Sequence, residues 1–461
     1  MKRFILFSGI AAKANYCQAV LLADVLAATA SGERSCIVEF SMISAGTISS
    51  RRTFLKSSAV AGAYLIGSRS FANSRHRSII VIGAGAFGGW TALKLLEKGA
   101  KVTLLDAWGP GNSRSSSGGE TRVIRATYGS GRIYTQMAAH ALKLWPEYER
   151  RWNLKLFFRT GVLWMAGADD SYERAALPLM SEAGVRFEKL SAEECAKRWP
   201  QINFDGISWS VYEPESGYLA ARRGCEAVLN AFIKQGGEYR QAQVTAGQIA
   251  SSNMREIKLN SSEELKADAY VFACGPWLGK LFPLLAPTIT PTRQEVFFFG
   301  TAAGDLRFTD TQLPVWSDDS KRDLDDFPGR HWFYGIPGNH WRGFKIADDM
   351  RGATIDPTTM QREVSPEGLA AARAYLRTRF PALADAPLVE SRVCQYENST
   401  DQNFILDHHP EAENVWIVGG GSGHGFKHGP AIGDMASDAV LGLKAPPTEF
   451  ALSRLTKKSS S

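Results

Sequence analysis

The chain has no long hydrophobic run, no internal repeat, no low-complexity tract beyond the short polar tail Lys457 to Ser461, and little cysteine. Without about 20 consecutive apolar residues it has no stable membrane span. Its six cysteines, none at metal-ligand spacing, exclude a zinc module and a disulfide-stapled scaffold. Cys17 and Cys36 lie near the start, and pairing among Cys195, Cys225, Cys274 and Cys394 stays open. A large excess of one charge is missing too. The first 72 residues hold 8 of the 53 basic and 3 of the 47 acidic residues, so 45 and 44 remain, which removes any case for a nucleic-acid partner.

What is present begins with an address. Ser50-Arg51-Arg52-Thr53-Phe54-Leu55-Lys56, the mild apolar stretch Ala59 to Gly67 and the small residues of Ser70-Phe71-Ala72 resemble a twin-arginine export signal, with cleavage expected after Ala72. Met42 lies a normal distance ahead of the arginine pair, so the start at Met1 or Met42 is open. The expectation is a leader over 1–72 and an enzyme over 73–461, carried by the twin-arginine machinery to the periplasm in folded form.

The enzyme opens on Ser78-Ile79-Ile80-Val81-Ile82-Gly83-Ala84-Gly85-Ala86-Phe87-Gly88, followed eighteen residues after Gly88 by Asp106. The apolar run reads as a buried strand. Gly83 supplies the tight turn, Gly85 lets backbone approach a pyrophosphate, and Gly88 lets the helix pack on the strand. Lys101 to Leu105 reads as a second strand, placing Asp106 where a carboxylate accepts ribose hydroxyls. An ADP-containing cofactor is therefore expected, although this motif alone does not separate FAD from NAD.

Strand-to-glycine segments recur at Lys266 to Gly275 and at Glu413 to Gly421, with alternating aromatic-rich strands between them, such as Gln294 to Phe299 and Arg330 to Ile336. The expected class is α/β: a Rossmann-type lobe over roughly 77–160, 220–285 and 390–450, interleaved with an antiparallel-sheet substrate lobe over roughly 161–219 and 286–389.

With these segments placed, the sequence resembles the branch of the D-amino-acid-oxidase-type flavoproteins that holds monomeric sarcosine oxidase, N-methyltryptophan oxidase and pipecolate oxidase. The resemblance rests on Gly119-Glu120-Thr121-Arg122-Val123-Ile124-Arg125, the Tyr334 to Lys345 interval, Val393-Cys394-Gln395-Tyr396 with Phe404-Ile405-Leu406-Asp407, and Ser422-Gly423-His424-Gly425-Phe426-Lys427. It implies FAD, tethered covalently through Cys394. Beside the opening motif, it assigns Ala86, Phe87, Ser117, Thr121, Arg122, Val244, Gly275, Gly423, Gly425, Phe426 and Lys427 to the cofactor. Arg122 is expected near the flavin ring. Arg125 and Lys427 are expected to grip a substrate carboxylate. Tyr334 would line the substrate cavity, and Lys345 would favour electron transfer to oxygen.

Two departures bear on substrate. Members carry a histidine just before the glycine of the first motif, where this chain has Gly118, and another four residues after the lysine, where it has Asp349. Gly118 is expected to enlarge the pocket. Asp349 is expected either to pair with a cation on a larger or dibasic substrate or to be a solvated loop acid. The implied activity is FAD-dependent oxidation of the C–N bond of a secondary or cyclic amino acid to an imine, with oxygen reduced to hydrogen peroxide by a monomer. The rivals are a periplasmic dehydrogenase feeding a quinone or cytochrome, a non-catalytic flavin-binding protein and, weakest, an NAD-linked enzyme.

Overall fold

The computed structural model describes residues 77–320, 331–339 and 342–456. The leader read over 1–72 and the polar tail lie outside them. Strand β1 (Ser78–Ile82) lies inside a six-stranded sheet, parallel to β2 (Lys101–Asp106) on one side and to Ala269–Phe272 on the other. Its β-branched run suits a strand buried on both faces. Ile79 and Val81 pack with Trp90 and Leu93, and Ile80 and Ile82 with Tyr270 and Phe272. Each such burial stabilises the fold by about 1.5–3 kcal/mol.

Helix α1 (Ala86–Glu97) crosses between β1 and β2. Two glycines permit this closeness. Gly83 has φ +105°, and a Cβ there would lie 2.3 Å from the Ala273 carbonyl oxygen. At Gly88 a Cβ would lie 1.9 Å from the Gly83 carbonyl oxygen. Glu238–Gln241 extends the sheet beyond β2, and Ala412–Gly419 extends it beyond Ala269–Phe272, both parallel, before antiparallel Ile405–His409 closes the edge. From β1 the chain steps to β2 and then Glu238–Gln241 on one side, and returns to the other side of β1 with Ala269–Phe272. The strand order therefore reverses beside β1, and the strand ends there form the crevice where open α/β sheets bind ligands.

A second sheet has eight strands, in the order Leu388–Ser399, Ile289–Phe299, Phe344–Asp348, Phe333–Ile336, Val315–Asp319, Val162–Ala166, Trp209–Glu213 and Glu188–Ser191. The α/β class holds, with one refinement to the antiparallel expectation: Val162–Ala166 and Val315–Asp319 pair in parallel. A parallel pair needs a long crossover, and here the chain passes through the six-stranded sheet between them. A boundary also shifts. Residues 390–399, read with the nucleotide lobe, pair with Ile289–Phe299 in the eight-stranded sheet. The aromatic core of this sheet includes Trp316, Phe344, Tyr375 and Phe380. Helix Pro366–Arg379 covers it, capped by the Ser365 hydroxyl accepting from the Gly368 amide.

Among the described residues, no helix is long and apolar enough to cross a membrane, and no cluster of His, Cys, Asp or Glu is arranged to hold a metal.

Candidate active site

The crevice beside β1 opens into a cavity of about 450 Å³. The turn after β1 supplies Gly83, Gly85, Ala86 and Phe87 to its wall. The N-cap of α1 is Gly85, with no side chain capping it and no acid in the first turn. Amides at such a helix start favour a phosphate group, and the Ser117 hydroxyl accepts from the Ala86 amide at 3.1 Å. Asp106 accepts amide hydrogens from Ala84, Trp108 and Gly109, each at 2.8 Å. An ionised carboxylate has about four acceptor directions, so one remains for a ribose hydroxyl. Burial pushes the Asp106 carboxyl upward and the three amides oppose it. Glycine-lined walls, a helix start free of acidic side chains and a half-buried acid at the end of β2 fit an ADP-containing group. Val244 and Gly275 also line this cavity. Gly88 does not, because it is spent on packing α1 against β1.

A second cavity, of about 80 Å³, shares Arg122, Tyr396, Gly423 and Phe426 with the first. Arg122 leaves strand Thr121–Ile124 and donates to the carbonyls of Thr121 at 2.8 Å and Ser116 at 2.7 Å. It also donates to Cys394 Sγ at 3.4 Å. Cys394 is half-buried and faces the small cavity. Gly425 lines the large cavity. Thr121 lines neither, and its carbonyl accepts from Lys345 Nζ at 3.2 Å.

Arg125 and Lys427, far apart in sequence, meet at the small cavity. The Arg125 guanidinium lies 4.3 Å from the Tyr128 ring centre and 4.4 Å from that of Trp164, and it donates to the Thr127 carbonyl. Two aromatic faces hold a cation in place without neutralising it. Lys427, on the turn Phe426–His428, is 4% exposed. Its Nζ donates to Tyr128 Oη and to the His424 carbonyl, each at 2.8 Å. Burial and the neighbouring Arg125 hold this amine well below the usual lysine range.

Asp349 faces the same cavity, its side chain 29% exposed. Of its two readings, the solvated loop acid is therefore set aside. Tyr396 Oη donates to it at 2.7 Å, and Arg351 lies 3.6 Å from its other oxygen. Burial pushes its carboxyl upward, against the pull of Arg351 and Tyr396. Tyr334 lines the cavity, its phenol pushed up to about 12 by burial.

Lys345, like Gly88 and Thr121, lines neither cavity. It is 3% exposed, and its Nζ lies 5.6 Å from the Tyr334 ring. Burial and Arg122 hold its amine well below the ordinary range. The expected enlargement at Gly118 is also corrected. A side chain there would start 1.9 Å from the Asn112 carbonyl oxygen, so backbone occupies the space.

Sequence reading missed Tyr128, Trp164 and Glu397. Glu397 is buried beside the large cavity, and its Oε1 accepts from the Gly421 amide at 2.8 Å. Burial pushes its carboxyl up to about 7. Its position three residues after Cys394 was the available signal.

The model of the FAD dependent oxidoreductase family matches residues 78–439. Monomeric sarcosine oxidase from Bacillus sp. strain B-0618 is 32% identical over 381 residues, covering 80% of this chain and 93% of that one. N-methyl-L-tryptophan oxidase from Salmonella dublin is 28% identical, covering 82% and 99%. The fold is similar to that of L-proline dehydrogenase from P. horikoshii, with a TM-score of 0.69 and 20% identity over 81% of this chain and 96% of that one.

Proposed function

Because the chain belongs to the FAD dependent oxidoreductase family, we propose that its two adjoining cavities divide the work, the larger holding FAD and the smaller a secondary or cyclic amino acid. The chain is an FAD-dependent enzyme acting on CH–NH donors. When bound, FAD supplies the acceptor for the two electrons of the C–H bond and their route onward. The observation carrying the substrate reading is the convergence of Arg125, Lys427 and Asp349 on one small cavity. Arg125 and Lys427 hold the carboxylate, the guanidinium offering two parallel donors and the lysine one more. Asp349, steadied by Tyr396, accepts the N–H of the substrate amine or a cation on a larger side chain. Tyr334 and Trp164 wall the apolar part of the substrate. Hydrolysis of the resulting imine in water needs no further residue.

Cys394 is proposed as the point of covalent flavin attachment. Arg122, beside that thiol, would stabilise negative charge on the flavin ring. Lys345 is proposed as the cation that favours oxygen as the electron acceptor, with hydrogen peroxide as product. A dehydrogenase passing electrons to a quinone or cytochrome is a second reading, favoured by one observation: Lys345 lines neither cavity. Export by the twin-arginine route to the periplasm remains part of the proposal.

Anaerobic mixing of holoenzyme with N-methyl, cyclic and primary amino acids tests the substrate reading. Bleaching of the flavin by the first two groups, with peroxide on aeration, is expected. Bleaching by none of them, while dithionite reduces the flavin, would overturn it. Bleaching without peroxide would favour the dehydrogenase.

A further inference from the structure

A line of polar atoms runs from Lys427 to the surface. Lys427 Nζ lies 2.8 Å from Tyr128 Oη. Tyr128 Oη in turn lies 2.8 Å from His428 Nε2 and 3.4 Å from His424 Nδ1. The His428 branch is closed, since that residue is fully buried and its Nδ1 has no partner among the described residues. The His424 branch is open. Its Nε2 lies 3.2 Å from the carbonyl of Gln402, an exposed residue.

The groups around Lys427 explain why such a line is useful. Arg125 and Asp349 face it across the cavity, and Tyr128, His424 and His428 surround it from behind. Glu213, the remaining nearby acid, already accepts from the amides of Ala126 and Thr127 and the hydroxyls of Thr127 and Ser216. With burial and Arg125 acting against its charge, and Asp349 already held by Tyr396 and Arg351, a neutral amine is the favoured form of Lys427 before a substrate anion enters. An entering carboxylate reverses that preference, so a proton must reach a buried nitrogen.

We propose that Tyr128 and His424 form a proton relay that charges Lys427 from solvent as the substrate carboxylate enters. Tyr128 Oη passes its proton to the lone pair of the neutral Lys427 Nζ and regains one from His424, which starts as the Nδ1–H tautomer. His424 takes a solvent proton at Nε2 and ends as the Nε2–H tautomer, donating to the Gln402 carbonyl. One proton moves inward, and no electrons move. The relay makes Tyr128 and His424 positioning residues that act through Lys427, and it rests on the reading of Lys427 as a carboxylate ligand.

The test is rapid mixing of holoenzyme with propionate, a carboxylate without an amine, in weak buffer containing a pH indicator, following flavin absorbance and proton uptake together. The wild-type protein is expected to take up about one proton per propionate bound at alkaline pH, with affinity falling about tenfold per pH unit there. His424→Gln and Tyr128→Phe are expected to bind propionate with proton uptake slowed about tenfold or more. Unchanged visible flavin spectra and melting temperatures identify folded variants. Binding with no proton uptake at any pH overturns the relay and leaves the carboxylate reading standing, and uptake equally fast in both variants overturns the route. If propionate does not bind, or binds Lys427→Met as well as wild type, the carboxylate reading itself fails.

Discussion

Arg125 keeps its charge available because its neighbours are aromatic faces and a carbonyl. Removing that charge by Arg125→Met is expected to cost about 1.5–3 kcal/mol of substrate binding, seen as a rise in KM on the order of 10- to 100-fold. Two opposed shifts set the pH profile. Lys427 is held below its ordinary range, so carboxylate binding weakens as pH rises through that lowered value. Asp349 is pushed upward, so its ionised form is lost as pH falls through a value above the usual carboxylate range. The profile of kcat/KM is therefore expected to be a narrow bell, and Asp349→Asn should remove its acid limb while leaving the alkaline one. A retained acid limb would assign that titration elsewhere. Arg125 and Lys427 were legible because each sits in a motif. Tyr128 and Trp164 were not, because an aromatic beside an apolar run reads as core until a cation is found against its face.

At the scale of elements, the opening strand, helix and strand were legible because every residue needed is local and both glycines have steric reasons. Gly88→Val should force α1 away from β1, since even a Cβ would lie 1.9 Å from the Gly83 carbonyl oxygen. The expected result is loss of flavin in the purified protein, checked by visible absorbance. The partly parallel second sheet was not legible, because strand direction depends on pairing between distant segments. That sheet carries a buried ion pair, Asp318 with Arg379, their side chains 3% and 1% exposed. Arg379→Leu leaves the carboxylate unpaired and should destabilise the protein by about 3–5 kcal/mol, read as a lower melting temperature with an unchanged visible flavin spectrum. Glu397 adds a pH term. Its carboxyl is raised from 4.5 to about 7 by burial, so its stabilising protonated state is lost as pH rises through that window. The stability advantage of Glu397→Gln over wild type should therefore grow by about 3 kcal/mol between pH 4.5 and 7.

In the whole molecule, two sheets place two cavities against each other, with Arg122, Tyr396, Gly423 and Phe426 belonging to both. Sequence showed the larger cavity through contiguous glycine turns. The smaller one draws on strand Thr121–Ile124, the loop after Phe344–Asp348 and the turn before Gly429–Val440, so only the family resemblance brought its residues together. The central claim is that the small cavity reads a carboxylate and an amine on one molecule beside the flavin. The most direct measurement is the rate constant of anaerobic flavin reduction by an N-methyl amino acid and by its methyl ester. The ester keeps the amine and the reacting C–H bond but loses the anion. Reduction by the ester at limiting concentration is predicted to be slower by on the order of 100-fold, and equal rates would contradict the assignment of Arg125 and Lys427.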